Sequence, residues 1–209
     1  MTGLVRKALT IAAGLAVVAT VASAGVPDPR NSTTEAVIVG NVTGNPLGAP
    51  GDLGTSAVGG FEVIVRDINN TALIGRPVTL DFASAANVRL FNSIGGGITI
   101  NCAAKTLTKP TDGTGLALFA AKIGGFANTD VVEVSADGVA LANVKARSTD
   151  IDHLDGTTGL GDFGLFANNF LNVPSAPESD FNVDGTTGLG DLGIFAVEFL
   201  AAVSAAYCP

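Results

Sequence analysis

Asp180-Phe181-Asn182-Val183-Asp184-Gly185-Thr186-Thr187-Gly188-Leu189-Gly190-Asp191 puts oxygen-bearing side chains at positions one, three, five and twelve of a twelve-residue stretch, with glycine at six. Twenty-nine residues upstream, Asp155 to Asp162 reads DGTTGLGD, letter for letter the same as Asp184 to Asp191. Asp150 and Asp152 precede that copy as Asp180 and Asn182 precede the other. The spacing is that of a loop wrapped around a hard cation. Calcium takes six to eight oxygens at roughly 2.3–2.6 Å, so ligands must reach it from all sides of the loop.

In an EF-hand-type calcium loop, positions one, three and five supply side-chain oxygens, seven a backbone carbonyl, and twelve a carboxylate from the first turn of the next helix. The predicted ligands are therefore Asp180, Asn182, Asp184, the Thr186 carbonyl and Asp191, for one ion. Asp150, Asp152, Asp155, the Thr157 carbonyl and Asp162 would hold a second. Position twelve is aspartate, one methylene shorter than the usual glutamate, so the loop must tighten to keep its grip. The first copy has one extra residue before its Asp-Gly pair, which leaves open whether Asp150 or Asp152 binds.

Each loop leads into an apolar stripe. Phe163, Phe166 and Phe170 match Leu192, Phe195 and Phe199, a spacing of three and then four that predicts one helix face. Leu165 with Leu171, and Ile194 with Leu200, are expected to widen it. No helix is encoded before either loop, and Asn172 to Ser179, with Pro174 and Pro177, joins the units. The alternative is an acidic repeat without metal. Residues 148–209 carry nine carboxylates and no lysine or arginine, and clustered carboxylates raise one another's pKa values. The phenylalanine stripes favour a packed fold, and hence a neutralising cation.

Two loop-plus-helix repeats with aspartate at position twelve resemble a type I dockerin domain, over about 60 residues from Ser148 to roughly Val203. The resemblance implies two calcium ions, two helices related by a pseudo-twofold, and a cohesin-like or other cell-surface protein as partner. Repeat two fits residue by residue; repeat one departs by its insertion. Position eight, usually branched aliphatic in the family, is Thr158 and Thr187. Positions ten and eleven, which commonly contact cohesin, are Leu-Gly in both copies, so partner identity does not carry over.

The chain begins with a secretory signal pattern. Arg6 and Lys7 form a positive region, Ala8 to Val21 an apolar one, and Ala22-Ser23-Ala24 a small-residue cleavage site. A secreted or cell-surface location follows, with residues 1–24 removed and no membrane insertion afterwards, since no second apolar run reaches about 18 residues. Losing Arg6 and Lys7 takes the formal charge from −8 to −10. Of that, −9 lies beyond Arg147, which marks a boundary between residues 25–147 and 148–209. So acidic a chain argues against nucleic acid as a partner, which needs a basic face.

Residues 25–147 read as all-β. Phe61, Val63 and Val65 alternate with Glu62 and Arg66; Val78, Leu80 and Phe82 alternate with Thr79 and Asp81. Further strands are expected at 35–42, 88–91, 98–102, 105–108, 116–122, 131–135 and 139–146, with an Asp137-Gly138 hairpin turn between the last two. So many short strands predict a Greek-key β-sandwich. The fold class is thus mainly β, a sandwich followed by a small α-helical module with two EF-hand-type loops. Gly44 to Gly60 is either a long surface loop or a flexible lead-in.

The run Asp67-Ile-Asn-Asn-Thr-Ala-Leu-Ile-Gly-Arg-Pro77-Val-Thr-Leu, with Thr111-Asp112-Gly-Thr-Gly115-Leu-Ala-Leu-Phe119, resembles bacterial Ig-like domains of the invasin and intimin type. That resemblance implies a spacer or adhesion module. Cys102 and Cys208 are an even pair in an exported chain. Sequence leaves open a disulfide, two thiols, or intermolecular pairing through Cys208.

Nothing in the sequence assembles a catalytic site. His153 is the one histidine and lies inside the first loop, so histidine-based triads and zinc clusters lack their parts. The aspartates Asp67, Asp112, Asp130 and Asp137 fall at expected turns, where aspartate is ordinary. The chain reads as a non-enzymatic, secreted structural or adhesion protein whose calcium-stabilised module serves docking or assembly. The alternatives are an accessory subunit of an extracellular polysaccharide-degrading system, or an intramolecular calcium-stabilised module with no partner.

Overall fold

A computed structural model describes residues 25–44, 60–173, 175–201 and 203–209. The signal pattern, and all but the ends of the Gly44–Gly60 segment, lie outside the described residues. The fold is mainly β. Eleven strands are described: β1 (Thr33–Thr34), β2 (Val37–Gly40), β3 (Gly60–Ile64), β4 (Pro77–Asp81), β5 (Val88–Leu90), β6 (Thr99–Asn101), β7 (Thr106–Pro110), β8 (Leu116–Ala120), β9 (Ile123–Gly125), β10 (Ala127–Ala136) and β11 (Val139–Ser148). Two helices follow, α1 (Leu160–Asn172) and α2 (Leu189–Ala201), with a 3-10 turn at Pro177–Ser179 between them.

The strands form a six-stranded sheet in the order β2-β11-β10-β4-β7-β6, a three-stranded sheet β1-β3-β8, and the pair β5-β9. Alternation drives this layering: Val78, Leu80, Phe61, Val63 and Phe119 turn inward and are fully buried, together with Leu107, Val132 and Val134. Asp137 and Gly138 both take positive φ, 48° and 77°, the backbone of a tight two-residue hairpin turn that places Ala136 opposite Val139. Three expectations are corrected. Glu62 is buried, its N–H donating to Glu35 Oε2 at 2.9 Å. Asp130 lies within β10 and not at a turn. The expected strand 116–122 divides instead: β8 ends at Ala120 and β9 pairs separately with β5.

β2 joins the two halves of the molecule. It runs parallel to the end of β11, with Arg147 opposite Val39. Ile38 belongs to the large core between the β-sheets, whereas Val37 and Val39 belong to a second core with Ile151, Phe166, Phe181 and Phe195. A strand buried on both faces explains its uninterrupted apolar run. Phe166 stacks between Phe181 and Phe195, at ring distances of 6.0 and 5.3 Å. The helices therefore rest on the outer face of β2. That wall is narrow, and Leu165, Leu171 and Leu200, expected to widen the stripes, are exposed.

Candidate functional site

Both loops show the same hydrogen-bond plan. Asp162 accepts from the Asp152 N–H at 2.9 Å through Oδ1 and from the Gly159 N–H at 2.8 Å through Oδ2. Asp191 accepts from the Asn182 N–H at 2.9 Å and the Gly188 N–H at 2.7 Å in the same way. Each aspartate thus ties the loop's third residue to the first turn of a helix, where a carboxylate also meets free backbone donors. Both aspartates are buried.

This pattern shows how the first loop accommodates its extra residue. Asp152 occupies the place of Asn182, and Asp150 that of Asp180. His153 and Val183 follow in turn, both left-handed with φ of 48° and 60°. The extra residue is then Leu154, whose side chain is 73% exposed. Both registers rejoin at Gly156 and Gly185, again at positive φ. Position eleven is glycine for a different reason. A Cβ at Gly161 would lie 2.6 Å from Asp152 Oδ2, and one at Gly190 2.7 Å from Asn182 Nδ2.

In the first loop, carboxylate oxygens of Asp150, Asp152 and Asp162 lie within 4.8 Å of one another, a group able to hold a metal ion. Asp155 stands outside that trio and is exposed, accepting from the Thr157 N–H and hydroxyl at 2.9 and 2.6 Å. In the second loop, Asp180 Oδ1 and Oδ2 accept from the N–H groups of Asp184 and Gly185, both at 3.1 Å. Asn182 Nδ2 donates to Asp184 Oδ2 at 2.9 Å, and Thr186 repeats the Thr157 contacts on Asp184. The ligand atoms these side chains could offer a cation are oxygens, the type a hard cation prefers.

The electrostatics describe negative charge held away from water. Burial pushes the Asp150 carboxyl up to about 7, against the Tyr207 hydrogen bond and helped by the charges of Asp162 and Asp152. Burial likewise raises Asp162 and Asp191. Asp184, exposed, is lowered by the hydroxyl of Thr186 and the amide of Asn182. A cation among the buried groups would offset this cost.

Four participants escaped the sequence reading. Arg147, buried at the end of β11, sets its Nη1 3.2 Å from Asp180 Oδ2 and also donates to the Asp180 carbonyl. Its only sequence signal was being the last basic residue. Tyr207 donates its hydroxyl to Asp150 Oδ2. Glu198 of α2 accepts from Asn41 Nδ2 and the Thr43 hydroxyl, both at 3.0 Å, fastening α2 to the end of β2. Glu178 accepts from Asn169 of α1 at 3.2 Å and Asn128 of β10 at 3.3 Å. The Nδ1 of His153, by contrast, is buried with no hydrogen-bond partner among the described residues.

No protein family, curated protein or solved structure was found to match this chain.

Proposed function

We propose that this is a secreted, non-catalytic structural or adhesion protein. Its Ig-like sandwich carries a calcium-stabilised, dockerin-like pair of loop–helix repeats used for docking or assembly. The observation that carries the proposal is the repeated arrangement in which buried Asp162 and Asp191 each close an all-oxygen loop onto the first turn of a helix. Asp150, Asp152 and Asp162, with the Thr157 carbonyl and the peripheral Asp155, would hold one calcium ion. Asp180, Asn182, Asp184, Asp191 and the Thr186 carbonyl would hold the other. The ion supplies positive charge that lets these carboxylates stay ionised while buried. Export is supported by the signal pattern and by the disulfide between Cys102 and Cys208, with Cα atoms 5.3 Å apart.

Docking draws support from the outer face of the helices. Leu160 and Leu189, both at loop position ten, are 78% and 76% exposed. Leu160 also borders an apolar groove with Phe163, Leu192, Phe195, Ala196 and Phe199. The second reading, an intramolecular module with no partner, is favoured by the packing of Phe166 and Phe195 on Val37 and Val39.

Thermal melts with calcium and with a chelator test the calcium role. At a hundredfold excess over its dissociation constant, each ion adds about 2.7 kcal/mol to the folded state. For a chain of this size that is a rise of roughly 5–10 °C per site. An unchanged midpoint discards the role. Chelator-sensitive capture of another secreted protein separates docking from the intramolecular reading.

A further inference from the structure

The two loops differ in what covers them. Around Gly185 of the second loop an added Cβ would meet nothing within 4 Å. The equivalent Gly156 lies under the carboxyl-terminal tail, where a Cβ would run into the Ala205 carbonyl and come within 3.2 Å of the Phe91 ring. The tail is bonded to the loop. Ala205 N–H donates to the Gly156 carbonyl at 3.1 Å, Ser204 bridges Thr157, and the Tyr207 hydroxyl donates to Asp150 Oδ2. The other oxygen of Asp150 accepts the His153 N–H at 2.9 Å.

The same five residues are fixed to the sandwich on their far side. Cys208 N–H donates to the Leu90 carbonyl at 2.8 Å, and Asn92 N–H to the Ala206 carbonyl at 3.0 Å. Phe91 stacks on Tyr207 with ring centroids 4.5 Å apart, and the Arg89 guanidinium lies 5.5 Å from the Tyr207 ring centre. Gly124 leaves the room the phenol occupies, since a side chain there would clash with it. Cys208 then closes the strap covalently onto Cys102, beside the edge strand β6.

We propose that Ser204–Cys208 is a strap that positions Asp150 for cation binding in the first loop, and that the Cys102–Cys208 disulfide sets the affinity of that site alone. The proposal rests on the cation reading above. Leu154 makes the first loop one residue longer than the second, so it has more conformational freedom to lose on closing around an ion. The strap removes that freedom in advance. Tyr207 is a positioning residue, holding a ligand carboxylate in place without being a ligand; losing such a partner typically costs 10–100-fold in metal affinity. In the second loop it is Arg147 of β11 that holds the equivalent Asp180. The disulfide should therefore be felt at one site and not at the other.

The test uses the chain from Gly25 to Pro209, with calcium followed by calorimetry and terbium by luminescence. With one tyrosine and no tryptophan in the sequence, tyrosine-sensitised terbium emission reports an ion beside Tyr207. In the Cys102→Ser/Cys208→Ser variant, one of two sites is expected to weaken at least tenfold, and the sensitised emission to fall with it. The other site keeps its affinity within a factor of two. Tyr207→Phe, read by calorimetry, is expected to weaken the same site about tenfold. Equal affinities in wild type and both variants, or tighter binding in Tyr207→Phe, overturn the strap. A wild type that binds no ion overturns the cation reading itself, and the strap with it.

If the double variant does not fold, the wild-type disulfide supplies the measurement. Dithiothreitol delivers two electrons and two protons to it, becoming a cyclic disulfide as two thiols form. Because coupling is reciprocal, saturating calcium should make the bond harder to reduce by the same factor. A tenfold effect lowers its potential by about 30 mV. An unchanged potential in a protein that binds calcium overturns the proposal.

Discussion

Gly190 and Gly193 lie one turn apart on α2, yet a methyl group added at each has opposite consequences. At Gly193 it would meet nothing within 4 Å. Gly193→Ala should therefore stabilise the helix by up to about 1 kcal/mol. At Gly190 it would press on Asn182, which is already bonded to Asp184. Gly190→Ala is expected to cancel that gain and to weaken calcium binding at the second loop only. Urea unfolding and calorimetry on the two variants check both halves. Arg147 is sharper still. Arg147→Met leaves Asp180 buried without its cationic partner, a loss of about 3–5 kcal/mol when a buried pair is broken this way. Calcium would replace part of the missing positive charge. The deficit should be largest in chelator and shrink when calcium is added, as measured by denaturant unfolding in both buffers.

Among the elements, α1 and α2 were legible because their evidence is local: a repeated loop, a stripe at spacings of three and four, and an acidic residue in the first turn. The strands were legible where alternation was clean, as in β4. What the pattern could not encode was how much wall each helix would find. Phe166 and Phe195 reach Val37 and Val39, but Leu171 and Leu200 extend past the edge of that support. Nor could the apolar run of β2 reveal that its two faces serve different cores. Glu198, facing Asn41 and Thr43 at the end of β2, shows the consequence. Burial raises its carboxyl pKa. The folded state therefore holds the Glu198 proton more tightly than the unfolded chain does. The stabilisation from protonating it is complete below the ordinary glutamate value of about 4.3. It is lost as pH rises through the raised value. Relative to Glu198→Gln, the wild type should accordingly gain stability as pH falls from neutral toward the ordinary glutamate value of about 4.3. Denaturant unfolding across that range reads the difference, and a constant or widening deficit contradicts the assignment.

For the whole molecule, the partnerships that the sequence missed or left open share one property: they join distant residues through the assembled fold. Arg147 and Asp180 are 33 residues apart, Tyr207 and Asp150 are 57, and Cys102 and Cys208 are 106. The charge shift near Arg147 is real as composition, but it falls inside β11, whose end pairs with β2 and pins the second loop. This bears on whether residues 148–209 can stand alone. Cut there, the segment loses Arg147, the Val37 and Val39 wall and the anchor of Cys208. A broken buried ion pair costs about 3–5 kcal/mol, a lost disulfide about 2–4 kcal/mol, and each exposed valine contact about 1.5 kcal/mol or more. A unit of about 60 residues has little stability in reserve. Two calcium ions at a hundredfold excess return roughly 5 kcal/mol, less than the sum of these losses. Residues 148–209 alone are therefore expected to remain largely unfolded even in saturating calcium, with circular dichroism well short of two thirteen-residue helices. A fragment starting at Gly25 should show both helices under the same conditions. A folded, calcium-bound 148–209 fragment would show instead that the β2 wall and Arg147 add little, and that the two loops carry the module unaided.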